Sequence, residues 1–202
     1  MKKCKWLLLI GVFLSYFISP YLPDAWGEEN DFLEWLQVVI LVLGMVLNYI
    51  WYQEAEYDNN ISSKRFLAWT TPLWLLIIGR ELSWGRVLYP SIFKVILVKN
   101  VIHLLLAIII VVWLYVGKKY DLYKIPYKLL KERLFPITEL IITAIALLVA
   151  DLAEHRLHLP QMEEFNECIS YLGLILVAYY VKTALKRKKS NIISRYTIHS
   201  TY

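Results

Sequence analysis

Residues 32–52 read FLEWLQVVILVLGMVLNYIWY, and Glu34 is the one charged side chain among these 21 residues. An α-helix of about 20 apolar residues crosses the hydrocarbon core of a bilayer, so this run predicts a transmembrane helix. The whole chain has the same character, since 58% of its 202 residues are hydrophobic and its mean hydropathy is +0.48. This composition excludes a soluble domain of this length and indicates a membrane protein.

Five further apolar runs flank this one, and we expect each to cross the membrane as a helix. They cover residues 6–18, 65–78, 101–116, 134–150 and 165–181. Because no Pro/Gly linker or repeat separates them, the sequence predicts one all-α domain over residues 1–185, a polytopic bundle of six helices. A basic cytoplasmic tail over residues 186–202 follows it. Residues 92–98 are either an interfacial helix or an extension of the fourth span.

The charged residues between the runs are sorted by sign. With the N-terminus in the cytoplasm, about 17 of the 22 Lys and Arg lie on the cytoplasmic side, as the positive-inside rule requires. The acids of the outer side are then Asp24, Glu28, Glu29, Asp31, Glu34, Glu81, Asp151, Glu154, Glu163, Glu164 and Glu167. The sequence therefore predicts a multi-pass protein of the bacterial cytoplasmic (inner) membrane with both termini inside. The net charge of +5 follows from this topology, so the lipid bilayer, and no nucleic acid, is the expected partner.

The third run ends in the polar segment GRELSWGR at residues 79–86. The 13 apolar residues before it give about 20 Å of helix, and a hydrocarbon core of about 30 Å therefore draws Arg80 and Glu81 into the outer leaflet. A charge at that depth costs about 2.5–3.5 kcal/mol, so each of the two needs a partner. The expected partners are Glu34 or Glu167 for Arg80, and His103 or His155 for Glu81. A structural ion-pair network and a ligand site both stay open.

The sixth run begins with EEFNE at residues 163–167. Glu164 and Glu167 are three residues apart and share a helix face close to the helix N-terminus, where the helix dipole favours negative charge. The dipole alone accounts for Glu163 and Glu164. Glu167 lies deeper, and we expect it to face inward in a polar network or functional site.

The fifth run ends in DLAEHRLHLP at residues 151–160. Steps of three and four residues place its carboxylates and imidazoles on one face of a helix: Asp151, Glu154, His155 and His158. Imidazole nitrogen and carboxylate oxygen together suit zinc, manganese or iron. The segment is therefore either a divalent metal site or a solvated helix end with ion pairs to Arg156.

Four segments of the chain together resemble a family of uncharacterised bacterial polytopic membrane proteins. The first is EEND at residues 28–31 followed by Glu34 and Trp35, similar to an acidic E-D/N-x-x-x-E motif, and the second is GRELSWGR at residues 79–86, similar to G-E-E-I-S-W-G-Q. The third is NVIH at residues 100–103, at the start of the fourth span, and the last is Glu163, Glu164 and Glu167, similar to a late E-E-x-x-E motif. The chain has Arg80 where that family has its first Glu, and Arg86 where it has Gln. The resemblance implies a shared polar site at the outer face and no particular activity.

We therefore expect an outward-facing pocket that binds a small polar ligand, a lipid headgroup or a metal ion. Its expected members are the ionisable residues at outer membrane depth: Glu34, Arg80, Glu81, His103, Glu164 and Glu167. One alternative is a metal-dependent membrane hydrolase or transferase in which His155, His158 and Asp151 hold the ion and another carboxylate activates water. The other alternative is a proton- or cation-linked transporter or sensor. Few polar residues continue toward the inner face, which favours a one-sided site over a channel.

Overall fold

The computed structural model describes the backbone of residues 2–23, 32–82 and 96–199, with side chains for residues 5–23, 32–82 and 100–187. Within these ranges every regular element is a helix, which confirms the predicted all-α class. The acidic segment 24–31 and the SWG motif at residues 83–85, both expected at the outer face, lie outside the described residues.

Seven α-helices follow one another in the described part of the chain. They are α1 (Lys2–Ile18), α2 (Phe32–Tyr57), α3 (Ile61–Glu81), α4 (Ile96–Lys119), α5 (Lys124–Lys131), α6 (Ile137–Leu152) and α7 (Pro160–His199). By length and composition three of them can cross a membrane: Phe32–Tyr57, Asn100–Lys119 within α4, and Pro160–Arg187 within α7. The sequence is thus that of a membrane protein with at least these three candidate spans.

α3 and α7 both extend beyond their apolar runs. α3 continues to Glu81, so Arg80 and Glu81 lie in its last turn, as the sequence predicted. α7 is continuous past the expected domain boundary at residue 185, and the basic tail therefore begins as part of the same helix. Residues 96–98 lie in α4, which makes them an extension of the fourth apolar run, whereas residues 92–95 lie outside the described residues.

Proline and asparagine residues mark several helix ends. Pro20 lies in the 3₁₀ turn that follows α1, because its missing amide hydrogen does not support a further α-helical turn. Asn60 caps α3 by accepting a hydrogen bond from the Ser63 amide at 3.2 Å. Pro160 is the first residue of α7, the position where a missing N–H costs least.

α7 lies at the centre of the bundle and packs against α1, α2, α3 and α6. One core cluster joins it to α1 and α6 through Leu8, Val12, Ile142, Ala146 and Ile169. A second joins it to α2 and α3 through Ile40, Leu41, Trp74, Cys168 and Tyr171. Polar contacts also hold α1 to α7, since the buried Asn166 Nδ2 donates to Ser15 Oγ at 2.9 Å. The helix that begins at Pro160 is therefore in contact with nearly every other long helix.

Two glycines allow the closest helix contacts. A Cβ added at Gly44 of α2 would lie 2.5 Å from the Trp74 ring of α3, and one added at Gly173 of α7 would overlap the Thr143 side chain of α6. Small residues at helix crossings are typical of membrane bundles, where close backbone approach maximises van der Waals contact. These two positions therefore fix the α2–α3 and α6–α7 interfaces.

α4 stands apart from this core. Only 6% of its apolar window is buried, compared with 39% for α2 and 44% for α7. Its main packing partner is α3, through Trp69 and Trp113, whose rings stack at a centroid distance of 4.8 Å. Each indole N–H donates to the backbone carbonyl of the other tryptophan, at 3.0 and 2.8 Å. We call this reciprocal pair the tryptophan clasp.

Candidate functional site

A polar cluster lies where α3 ends and α7 begins, and its cation is Arg80. The guanidinium Nη2 donates to Glu167 Oε1 at 2.8 Å, and Nη1 donates to the Tyr171 hydroxyl at 3.2 Å. About 60% of the Arg80 side chain is exposed, whereas Glu167 is buried. Arg80 therefore covers the buried carboxylate and leaves its own outer surface open. Of the two partners expected for Arg80, the structure pairs it with Glu167.

Glu81 is buried beside this pair. Tyr171 donates its hydroxyl hydrogen to Glu81 Oε1 at 2.7 Å, while Arg80 Nη1 lies 3.5 Å from the same oxygen. Neither His103 nor His155, the partners expected from the sequence, is the group that contacts it. The tyrosine instead links Glu81 to Arg80, and Arg80 binds Glu167 directly, so the four side chains form one hydrogen-bonded chain, Glu167–Arg80–Tyr171–Glu81.

The second turn of α7 adds a further carboxylate, Glu164, which is bound by a side chain of α2. Gln37 Nε2 donates to Glu164 Oε2 and, at 3.1 Å, to the Glu164 carbonyl. Gln37 is fully buried, and its own Oε1 lacks a hydrogen-bond partner among the described residues. An unpaired buried acceptor costs about 1–3 kcal/mol, so this oxygen favours a hydrogen-bond donor or a cation beside it.

Two more glutamates act on the cluster electrostatically. Glu34 of α2 is half-buried and repels the carboxylates of Glu81 and Glu164. Glu163 is repelled by Glu167 and attracted by Arg80. We call the residues joined by these hydrogen bonds, ion pairs and electrostatic interactions the carboxylate cluster. Its members are Glu34, Gln37, Arg80, Glu81, Glu163, Glu164, Glu167 and Tyr171. It contains five of the six residues that the sequence assigned to the pocket, and Gln37, Glu163 and Tyr171 in addition.

His103 is the sixth residue, and the structure does not bring it into the cluster. It is exposed on α4, and among the described residues it makes no hydrogen bond or ion pair. The reason is the position of α4, which the tryptophan clasp holds against the side of α3. The sequence assigned His103 to the pocket only because of its expected depth in the membrane.

The candidate metal ligands lie where α6 ends. Asp151, Glu154 and His155 are exposed, and one potential ligand atom of each lies within 4.8 Å of the others. His155 Nε2 is 3.8 Å from Asp151 Oδ1 and its Nδ1 is 3.5 Å from Glu154 Oε2. One imidazole and two carboxylates fit zinc, manganese or iron.

His158 is not a member of this group, although the sequence placed it on the same face. Ala153–Leu157 forms a π-helical turn, and His158 then adopts a left-handed conformation with φ of 54°. A π turn changes the 3.6-residue period on which the expected face depends. Glu163 is near enough to interact with both Glu154 and His155, and it therefore connects this group to the carboxylate cluster.

Gln37 and Tyr171 were missed in the sequence, yet each carries a recognisable signal. Both are polar residues inside apolar runs, and Tyr171 lies four residues after Glu167, on the same helix face. Tyrosines near membrane interfaces are common, so the sequence alone did not single out Tyr171.

The polar residues farther along α2 and α3 form a separate set. Asn48 Nδ2 donates to Thr71 Oγ1 at 3.0 Å and to the Leu67 carbonyl at 3.1 Å, and Thr70 donates to Asn48 Oδ1 at 3.2 Å. These groups satisfy one another beside Pro72 of α3. They therefore tie two helices together and do not extend the carboxylate cluster through the bundle.

No family model, curated protein or solved structure matches the chain. The resemblance to the bacterial family with the SWG segment therefore stays a prediction.

Proposed function

We propose that the chain is a multi-pass protein of the bacterial inner membrane in which α1, α2, α3, α4, α6 and α7 are six spans and both termini are cytoplasmic. The sign sorting of the loop charges supports this orientation. The short helix α5 carries Lys124, Lys128 and Lys131, as expected of a segment on the cytoplasmic membrane surface. In this orientation the carboxylate cluster faces outward.

The cluster binds a small cation or cationic ligand, or takes up protons, and the protein acts as a cation- or proton-linked sensor or carrier. The observation that carries this proposal is the charge balance. Among the described residues, the cluster holds five carboxylates and one guanidinium, an excess of four negative charges when all are ionised. The N-terminal dipole of α7 offsets only about half a charge. At membrane depth such an excess favours a bound cation or proton.

Sensing fits this geometry better than conduction. The Asn48–Thr70–Thr71 set is hydrogen-bonded internally, so no continuous polar path leads away from the cluster in the described part of the bundle. A one-sided site at the start of a long central helix suits ligand detection at the outer face.

The test is ligand-dependent thermal stability of the purified protein in detergent. The probes are MnCl₂, MgCl₂ and tetramethylammonium chloride, each at constant ionic strength, together with a titration from pH 5 to 9. A ligand at 100 times its Kd stabilises by about 2.7 kcal/mol, so binding raises the unfolding midpoint. Glu164→Gln should weaken the response, while Glu139→Gln, in the first turn of α6, should leave it intact. A midpoint unaffected by every probe and by pH contradicts the proposal.

A second candidate function, a metal-assisted hydrolase or transferase, is favoured by the Asp151, Glu154 and His155 group alone. Elemental mass spectrometry of the purified protein tests it directly. Stoichiometric zinc, manganese or iron that is lost in His155→Ala and kept in His158→Ala supports this candidate. Wild-type protein without bound metal after incubation with ZnCl₂ or MnCl₂ eliminates it.

A further inference from the structure

An apolar groove runs between α3 and α4, far from the carboxylate cluster. It has a volume of about 570 Å³, within the range of about 300–1,000 Å³ typical of ligand pockets. Its walls are apolar, with Pro72, Ile109 and Val112 among them, and the two rings of the tryptophan clasp also line it. Such a groove accepts a hydrocarbon chain.

One end of the groove is positively charged. Arg65 and Tyr120 line it there, with the guanidinium 5.5 Å from the centroid of the Tyr120 ring. Lys119 Nζ lies 5.6 Å from the same ring. Among the described residues neither Arg65 nor Lys119 has a carboxylate within ion-pair distance, unlike Lys64, which pairs with Glu56. Two cations without an acidic partner therefore flank one aromatic ring.

We propose that this groove binds an anionic phospholipid, whose acyl chain fills the apolar walls and whose phosphate meets Arg65 and Lys119. The basic end of the groove complements the negative charge of the phosphate, and the apolar walls along the rest complement the acyl chain. Little of α4 is buried against the rest of the bundle. A lipid in the groove would fill the space beside the tryptophan clasp and add contacts between α4 and α3. In the six-span orientation the basic end faces the cytoplasmic leaflet, where anionic headgroups attract Lys and Arg.

Native mass spectrometry of the full chain, released from mild detergent, tests the proposal with phosphatidylglycerol and phosphatidylcholine of the same acyl composition. We expect phosphatidylglycerol to bind preferentially. Each basic residue near a membrane surface contributes about fivefold in affinity, so Arg65→Gln and Lys119→Gln should each weaken phosphatidylglycerol binding about fivefold. Lys64→Gln is the matched control, since it removes the same charge from the adjacent position of α3, outside the groove, and should have no effect.

Val112→Trp tests the contribution of the acyl chain separately from that of the headgroup, because it fills the groove and leaves both cations in place. We expect it to abolish preferential binding while the protein stays folded. Equal binding of the two lipids, or an equal loss in Lys64→Gln and Arg65→Gln, overturns the proposal. Chemical cross-links between α4 of one chain and the groove of a second copy overturn it as well, because the occupant is then protein.

Discussion

Arg80 contacts both buried carboxylates of the cluster, Glu81 and Glu167, and its removal therefore affects several residues at once. Arg80→Gln leaves Glu167 without its ion pair and Tyr171 without a donor. A buried charged acceptor that loses its donor costs about 1–3 kcal/mol or more, and we expect a loss of stability of that size. Thermal unfolding in detergent measures it.

The double variant Arg80→Gln/Glu167→Gln should recover much of this loss, because the second change removes the carboxylate that the first left unpaired. Arg156→Gln is the control, since Arg156 is an exposed arginine near the same end of the bundle. If Arg80→Gln is as stable as Arg156→Gln, Arg80 does not neutralise the cluster.

Tyr171 supplies the hydrogen bond that Glu81 receives inside the bundle. Tyr171→Phe keeps the ring packed among Ile40, Leu41 and Trp74 and deletes only the hydroxyl. The expected cost is about 1–3 kcal/mol, because a buried acceptor loses its donor. Tyr179→Phe, an exposed position two turns later on α7, should change the unfolding midpoint little. A similar midpoint shift in both variants would refute the special role of the Tyr171 hydroxyl.

The sequence predicts which residues enter the cluster better than it predicts which residues pair. A charge at membrane depth needs a partner, so the sequence predicted Glu34 or Glu167 as the partner of Arg80, and the structure shows Glu167. The partner predicted for Glu81, His103 or His155, was wrong, because the contact with Tyr171 depends on the rotation of α3 relative to α7. His158 was misplaced for a local reason, since a π turn is not encoded by the three- and four-residue spacing that suggested a common face.

At the level of helices, the α6–α7 interface depends on the missing side chain of Gly173. Gly173→Ala places a methyl group against the Thr143 side chain, and overpacking of this kind costs about 1–3 kcal/mol. Thermal unfolding should show the loss, and Thr143→Ala in the same chain should restore part of it by making room. Gly11→Ala is the control, because its new Cβ would meet only the flexible end of Ile169 at 3.2 Å. Equal effects at both glycines would contradict a fixed α6–α7 contact.

The helices themselves were predictable from apolar runs, whereas their packing was not. Six runs matched six long helices in the described part of the chain, because hydropathy reports on the segment alone. The isolation of α4 has no counterpart in composition, since its run is the most hydropathic of the three candidate spans. The tryptophan clasp depends on contact between α3 and α4, and no local sequence pattern predicts that contact.

For the whole molecule, the six-span orientation makes a direct prediction about chemical labelling. Tyr21 follows α1 and is 88% exposed, and the proposed orientation places it outside. Tyr57 ends α2 and is 89% exposed, and the same orientation places it inside. In a background with Cys4→Ser and Cys168→Ala, Tyr21→Cys should react with a membrane-impermeant maleimide in spheroplasts, and Tyr57→Cys should react only after lysis. The reverse labelling pattern would invert the topology, and equal labelling of both in intact spheroplasts would rule out this arrangement.

The contact between Ser15 and Asn166 has a consequence for how the protein is made. These residues are 151 positions apart, and at about 5–20 residues per second the ribosome needs roughly 8–30 s to synthesise the chain between them. In the proposed six-span arrangement, α1 enters the membrane before α7, the helix with which it makes most of its contacts, has been synthesised. In that arrangement, assembly of the bundle ends when α1 packs against α7, and a chain truncated before Pro160 keeps only the contacts of α1 with α6.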